Sequence, residues 1–447
     1  MTTSAPLLTA TYYPELADRV RSQRELQPAL YGNIDFDQQP FRLATEPGVE
    51  SSLPSWVTDR DPLLEDHRLV ELISTATMLG DVVADPYAAL MGRYSVSQLI
   101  GMLKTACRDG IDAVTDAPPE LAAFLASMEA TPDWIDFDLI SEGARFERIP
   151  SALLAPFMIR GTFIATFTNT YAALPMALTG ALTGKRAARR VNETASFFAV
   201  TTLPGALDRF GPGFEAAAMV RLMHSMVRVN ALTRSDKWDV SVYGMPVPQV
   251  DQMPAGMIGQ YLLARQVRRE GRTRFNADER AVIEFARYRC FLLGLPHELL
   301  PVEPDAIIAV MHTRAAMIRD GFDDVCRELV EGTMAAYLRP EQSLFDRCAE
   351  AVEKSFSKLT FVQAFCGGNK DLAKAMGVNL DSFDLVRVAL TAPFIWGRFN
   401  VVSQAARIPV VRDIADMYVI GLLKLRLATY GKPEFTSDAA HYTPTPH

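Results

Sequence analysis

Residues 217–230 read Ala217-Ala218-Met219-Val220-Arg221-Leu222-Met223-His224-Ser225-Met226-Val227-Arg228-Val229-Asn230. No glycine or proline interrupts them. Val220, Leu222, Met223, Met226 and Val227 are too many for a single stripe, so the pattern predicts a helix buried on most sides. Arg221, His224 and Arg228 stand at i, i+3 and i+7 and share one face. Two guanidinium groups beside an imidazole on a buried helix need anionic partners, because unpaired buried charge is strongly destabilising. Asp208 or Glu215 could supply them, and so could the carboxylates of a ligand.

Working outward, helical spacing recurs along most of the chain. It is read over 69–77, 95–108, 120–129, 137–146, 186–200, 254–269, 277–293, 303–319, 323–337 and 340–354. A long 385–427 region is interrupted by Pro393 and Pro409. Alternating strands bounded by Asn-Gly or Asp-Gly turns are almost absent. The expected fold is therefore all-α. Residues 1–60, rich in Pro, Asp, Gln and Ser, read as an irregular arm with short helices at best. A single large multi-helix domain is expected over 61–430, and a polar, Pro-rich flexible tail over 431–447. The stretch from Gly161 to Gly184 has no charged residue and is long enough to span a bilayer. Thr162, Thr166, Thr168, Asn169, Thr170, Thr179 and a central Pro175 favour a buried helix pair over a membrane span.

Composition narrows the function. Hydrophobic residues make up 49% and charged residues 22% of the chain, as in an ordinary globular protein. The net charge of −8 gives no general attraction to nucleic acid. Five widely spaced cysteines, with no CxxC pair, form neither a disulfide framework nor a thiolate zinc site. The start of the chain has no basic segment followed by an apolar one, so a cytoplasmic location is expected. The sequence holds no GxxxxGK[ST], HExxH or GxSxG, and no GxGxxG after a strand. Of six histidines, none pairs with another at metal-ligand spacing, and only His224 lies on a strongly apolar helix.

A second group lies upstream, in Lys185-Arg186-Ala187-Ala188-Arg189-Arg190-Val191-Asn192-Glu193-Thr194. Arg190 and Thr194 are at i, i+4, and Glu193 is one turn from Arg190. The chemistry that fits both groups is haem. A neutral helical imidazole is a common axial ligand of haem iron, and arginine suits the carboxylates of haem propionates. The 161–184 stretch and Phe197-Phe198 could wall an apolar slot, with Met223 and Met226 as alternative soft ligands or packing residues. Plainer readings stay open on these residues alone. His224 could be a core histidine bonded to a carbonyl, and 185–194 a solvated basic helix start with Glu193 as an intrahelical partner.

At these positions the sequence resembles the family of latex-clearing-protein-type rubber oxygenases and mycophenolic acid biosynthesis oxygenases. Arg190-Val191-Asn192-Glu193-Thr194 is similar to the family's Arg-x-x-x-Thr helix, and Arg221 to Arg228 to its Arg-x-x-His-x-x-x-Arg helix. Trp238-Asp239 followed by Gly244-Met245-Pro246-Val247-Pro248-Gln249-Val250-Asp251 resembles its Trp-Asp and Gly-x-Pro-x-x-Gln-x-Asp loop. Leu293-Gly294-Leu295-Pro296 resembles its late Leu-Gly-x-Pro turn, so the motif core spans about residues 190–296. Gly80-Asp81 and Pro132-Asp133-Trp134 extend the likeness weakly.

The resemblance implies a globin-reminiscent core around haem b, with His224 as the iron ligand. Arg190 and Thr194 would lie on the opposite side, and Arg221 and Arg228 would be structural or neutralise charge around the haem. It also implies a haem-dependent oxidoreductase that acts with dioxygen on a small apolar alkene or isoprenoid-like substrate, cleaving the double bond to carbonyl products. Two departures stand out. The family can carry a lysine iron ligand three residues after the first arginine, where this chain has Glu193. It also has a candidate acidic base in the preceding helix, whereas Gly161 to Gly184 contains no Asp or Glu. Glu193 is expected to take the proton-handling role and Arg190 to stabilise oxygen by a charged hydrogen bond. The alternatives are a haem peroxidase or hydroxylase of a natural product, or a non-enzymatic haem- or lipid-binding protein.

Overall fold

The computed structural model describes residues 10–430 apart from Ser55, Thr58 and residues 180–184, and it leaves out the side chain of Lys185. The described residues form twenty-one α-helices and four short 3-10 turns. Extended pairing among them is limited to two isolated bridges, Leu43 with Ile318 and Ser51 with Arg319. The all-α expectation holds. The expected tail, 431–447, lies outside the described residues.

The helix Pro212–Arg234 runs through the middle of the largest apolar cluster, with sixteen of its 23 residues buried. Pro212 at its first turn needs no intrahelical N–H partner. Around it pack the helices Ala84–Ala89, Val96–Asp109, Lys185–Val200 and Ala277–Leu292. Its face opposite the charged residues is sealed by Met219, Leu222 and Met226, all almost fully buried. The helix Gln249–Arg269 crosses behind the charged face and contributes Val250, Met253 and Met257 to the same cluster.

The segment 1–60 is more ordered than its composition suggests. Pro14–Leu26 is a 13-residue helix whose Leu16, Ala17, Val20 and Gln23 form one buried face. Its many charges lower the mean hydropathy, but their spacing leaves that face clear. Tyr31 and Phe36 also enter the main core.

The apolar 161–184 stretch is not one straight element. The helices Phe137–Leu153 and Ala155–Phe167 meet at 94°, and Asn169 caps a new helix, Thr170–Leu178. Residues 180–184 of the stretch lie outside the described ones. The bend lays Gly161 against the helix Leu344–Phe365, where an added Cβ would stand 2.3 Å from the Ser357 carbonyl oxygen. Arg160, fully buried, pairs with Glu350 of that helix. Pro393 does not break its helix either: Ser382–Ala405 is continuous through it. Pro393 and Ala389, whose carbonyl loses its i+4 donor, are both exposed, so water can satisfy that oxygen.

Candidate active site

His224 is half-buried, and its Nδ1 lies 2.8 Å from Gln252 Oε1. The direction of this hydrogen bond follows from the chain of amides behind it. Gln252 Nε2 donates to Gln249 Oε1 at 3.2 Å and to the Val247 carbonyl at 3.3 Å. Gln249 Nε2 donates in turn to the Gly80 carbonyl at 3.0 Å. Each amide nitrogen therefore faces oxygen, and Gln252 Oε1 must accept. Nδ1 carries the proton, and the Nε2 lone pair is left over. Burial pushes the His224 pKa down to about 4; the Gln252 bond opposes this, while the charges of Arg190 and Arg228 add to it. The ring is thus neutral near pH 7, with one nitrogen able to bind a metal.

The two arginines on the His224 face have carboxylate partners within the protein. Arg221 forms a two-pronged pair with Asp81, at 2.6 and 2.9 Å, donates to Ser127 Oγ at 2.9 Å and stacks over Phe124. Arg228 pairs with Asp85 and donates to the carbonyls of Pro246 at 2.9 Å and Val247 at 2.7 Å. Asp85 also accepts from Tyr31 Oη at 2.5 Å. Asp208 and Glu215 do not fill this role; Glu215 instead pairs with Arg108 near the surface. Burial works to raise the pKa of Asp81, but Arg221 outweighs it and holds the carboxyl below its ordinary value. The guanidinium groups of Arg221 and Arg228 are engaged in fixing the His224 helix to residues 81–85.

Two glycines make these pairs possible. An added Cβ at Gly80 would meet Asp85 Oδ2 at 2.8 Å, and one at Gly294 would meet Asp81 Oδ2 at 2.6 Å and Arg221 Nε at 2.7 Å. Gly294 also has φ +88°, in the left-handed region. The Leu-Gly-x-Pro turn is therefore the wall of the Arg221–Asp81 pair. In the third motif, Trp238 Nε1 donates to the Gly244 carbonyl at 2.9 Å, and Gln249 N donates to the Leu79 carbonyl at 3.1 Å. Asp251 binds Arg42 and Arg314. Val247 has φ +46°, a strained conformation for a β-branched residue. That strain directs its carbonyl at Arg228 and Gln252.

Arg190 approaches His224 from the helix Lys185–Val200. Its Nη1 lies 3.5 Å from the sulfur of Met223, the residue before His224. Glu193 is buried and pairs with Arg189 at 3.1 Å and Arg190 at 3.5 Å. It is an intrahelical partner, though not a solvated one. Thr194 Oγ1 donates to the Arg190 carbonyl at 3.1 Å. Phe197 and Phe198 join the apolar cluster that holds Met223 and Met226.

The 161–184 stretch contributes less wall than expected. Ile164, Phe167 and Ala173 pack in a separate cluster with Cys326, Leu329, Phe361 and Val362. The bend after Leu153 turns them to the far side. Tyr171 is the described member that reaches the Met223 cluster.

Gln252 and the partners Asp81 and Asp85 complete the site. Gly80-Asp81 and Gln249 hinted at this region, but Gln252 has no sequence signal of its own. Glu147, on the helix Phe137–Leu153, lies outside the Gly161–Gly184 stretch. Burial raises its pKa, with Arg289 opposing. Arg289 stacks 4.6 Å from the Phe198 ring and reaches the Gly256 carbonyl at 3.4 Å, one turn beyond Gln252.

With this geometry in hand, residues 151–394 match a sequence family described as ER-bound oxygenase mpaB/B'/rubber oxygenase, catalytic domain. The chain belongs to this oxygenase family. The match covers more than half of the sequence and includes Arg190, Glu193, Thr194, His224 and Gln252. A solved structure titled latex clearing protein LCP in the closed state is similar, with TM-score 0.55 and 18% identity. The likeness covers 79% of this chain and 91% of that one, and it shows a shared fold. Comparison with curated protein sequences finds no match. As a member of an oxygenase family the chain is an oxidoreductase that acts with oxygen on an organic substrate.

Proposed function

We propose that this oxygenase depends on haem b and cleaves the carbon–carbon double bond of a small apolar alkene or isoprenoid-like substrate. The observation that carries the reading is the fixed tautomer of His224. Its neutral ring presents Nε2 while Gln252 holds Nδ1, the arrangement expected of a histidine that would hold a metal. Among the described residues, no cluster of three or more His, Cys, Asp and Glu side chains surrounds it. An iron bound there would have to bring most of its own ligands, as haem does.

Haem held at Nε2 would supply the one-electron chemistry by which dioxygen reacts with an alkene. The protein residues have separate tasks. Arg190, positioned by Glu193 and by the Met223 sulfur, offers charged N–H groups to oxygen atoms where negative charge develops. Thr194 anchors its hydroxyl on the Arg190 carbonyl, one turn back on the same helix. Glu193, buried one turn away, is the group placed to hold or release a proton. Phe197 and Phe198 supply an apolar wall suited to a hydrocarbon. One dioxygen and one alkene give two carbonyls with no other reductant, so the reaction needs no partner protein. The five cysteines are free thiols, which agrees with the reducing cytoplasm we propose as its location.

The test is a pyridine haemochrome assay on the purified protein, followed by product analysis with an apolar alkene and dioxygen. One b-type haem per chain and two carbonyl fragments support the proposal. A single hydroxylated product would indicate a hydroxylase instead. Protein that neither contains nor takes up haem would overturn the assignment.

A further inference from the structure

The last two helices, Ser382–Ala405 and Arg412–Tyr430, carry apolar side chains on the outside of the protein. Among the described residues, twelve of the nineteen exposed large apolar side chains fall between Phe383 and Leu425. Phe383, Val386, Leu390, Phe394 and Val401 follow one face of the first helix. Ile408 and Val410 occupy the corner, and Ile414, Met417, Tyr418 and Leu425 continue along the second helix. Val410 is 86% and Phe394 78% exposed, so these residues are not edges of a buried stripe.

The face is firmly presented. Val402, Ala406, Ala415, Val419 and Leu423 pack on Ile149, Ala152 and Leu153 of the helix Phe137–Leu153. Lys358 and Asp384 bridge the start of the first helix to Leu344–Phe365 at 2.7 Å. Most of the exposed residues lie beyond residue 394, where the matched catalytic domain ends.

Charge selects the occupant. Among the exposed side chains of residues 382–430, five are basic, Arg387, Arg398, Arg407, Arg412 and Lys424, against one acidic, Asp413, in a chain whose net charge is −8. A second copy docked face to face would bring two positive surfaces together, whereas self-interfaces deplete charge at their core. An anionic lipid surface complements both the charge and the apolar side chains. Trp396 and Tyr418, half-exposed, have the amphipathic rings that suit the headgroup level, and Arg398 Nε donates to Tyr418 Oη at 2.9 Å.

We propose that this face lies flat on the surface of a membrane containing anionic phospholipid and holds the enzyme there as a peripheral protein. The first helix is long and apolar enough to cross a membrane by length and composition. It instead packs lengthwise on two helices of the body, so in-plane docking preserves the fold and spanning would not. A docked enzyme would draw an apolar substrate from the lipid in which it dissolves. The inference does not depend on haem.

The test uses the full chain and sedimentation with phosphatidylcholine vesicles, with and without phosphatidylglycerol. We expect binding at least about tenfold stronger to the anionic vesicles, reversed by high salt. Leu390→Glu with Phe394→Glu and Met417→Glu should abolish binding while leaving far-ultraviolet circular dichroism unchanged, because these side chains are exposed. Arg412→Gln with Lys424→Gln should weaken binding to anionic vesicles and flatten its salt dependence. Failure to bind anionic vesicles would overturn the proposal. So would a dimer, seen by light scattering, that the glutamate substitutions split. Retention through high-salt and alkaline washes would overturn peripheral docking in favour of insertion.

Discussion

Gln252 Oε1 accepts the Nδ1 proton of His224 at 2.8 Å, and the Gln252 amide is prevented from flipping by the two oxygens that its nitrogen faces. The imidazole is therefore set before any ligand arrives. Gln252→Leu should keep the fold and lower haem affinity by about 10- to 100-fold, the usual cost of removing a group that orients a metal ligand. Haem titration followed at the Soret band measures this. An unchanged affinity would mean that Gln252 does not set the ligand, or that His224 is not one.

The low pKa of His224 has a consequence for the haem-free protein. The unfolded chain takes up a proton near pH 6.5, whereas the folded one resists until about 4. Between these values the unfolded state binds more protons, so stability falls as pH falls. The contribution is present above pH 6.5 and is lost on descending to about 4; its full size is on the order of 3 kcal/mol. His224→Gln should flatten that part of the acid limb in urea unfolding. An unaltered limb would show that the ring is charged or solvated in the fold.

The ion pairs beside His224 differ sharply from those at the surface. Asp81→Asn leaves the Arg221 guanidinium buried without its carboxylate and should cost about 3–5 kcal/mol. Asp85→Asn should do the same to Arg228. Glu215→Gln breaks the pair with the exposed Arg108 and should cost less than about 1 kcal/mol. Denaturant midpoints for the three variants test the order.

How far the sequence revealed this arrangement follows from the range of its signals. Arg221, His224 and Arg228 were legible because helical spacing is a local property and an apolar surround announces burial. The same local logic exposed the charged turn at Arg190, Glu193 and Thr194. Partners brought in from a distance were not legible: Asp81 lies 140 residues from Arg221, and no periodicity connects them. The 161–184 stretch misled for a related reason. Its composition suits a pocket wall, but the 94° bend before it, between Phe137–Leu153 and Ala155–Phe167, turns it to a second cluster with residues of 344–365, and composition does not report which cluster an apolar helix joins. The first sixty residues read as irregular because their charged residues mask a buried face that only the main core reveals.

Gly294 links the motif core to the same ion pair. At φ +88° an alanine is strained, and its Cβ would press on Asp81 and Arg221 at less than 3 Å. Gly294→Ala should therefore cost more than the ~1 kcal/mol of a left-handed alanine alone, reaching about 3 kcal/mol. It should also displace the His224 helix enough to broaden the Soret band. Combining it with Asp81→Asn should give less than the sum of the single effects, because both disturb one contact. Full additivity would separate the turn from the pair.

Glu193 has two possible tasks, and kinetics separates them. If it only steadies Arg190, Glu193→Gln retains a hydrogen bond of similar length and should lower kcat less than about tenfold. If it moves a proton, the amide cannot do so, and kcat should fall by about 10²- to 10⁴-fold with KM and the Soret band unchanged. We expect the larger loss. Glu193 is buried, and among the described residues it pairs with Arg189 and Arg190 on its own helix. Arg190→Lys then serves as the control: a lysine keeps the charge beside Glu193 but loses the planar fork. It should slow turnover through loss of that fork, but by less than Glu193→Gln does. A fall in kcat of less than about tenfold in Glu193→Gln, or one no larger than that of Arg190→Lys, would remove Glu193 from the proton path.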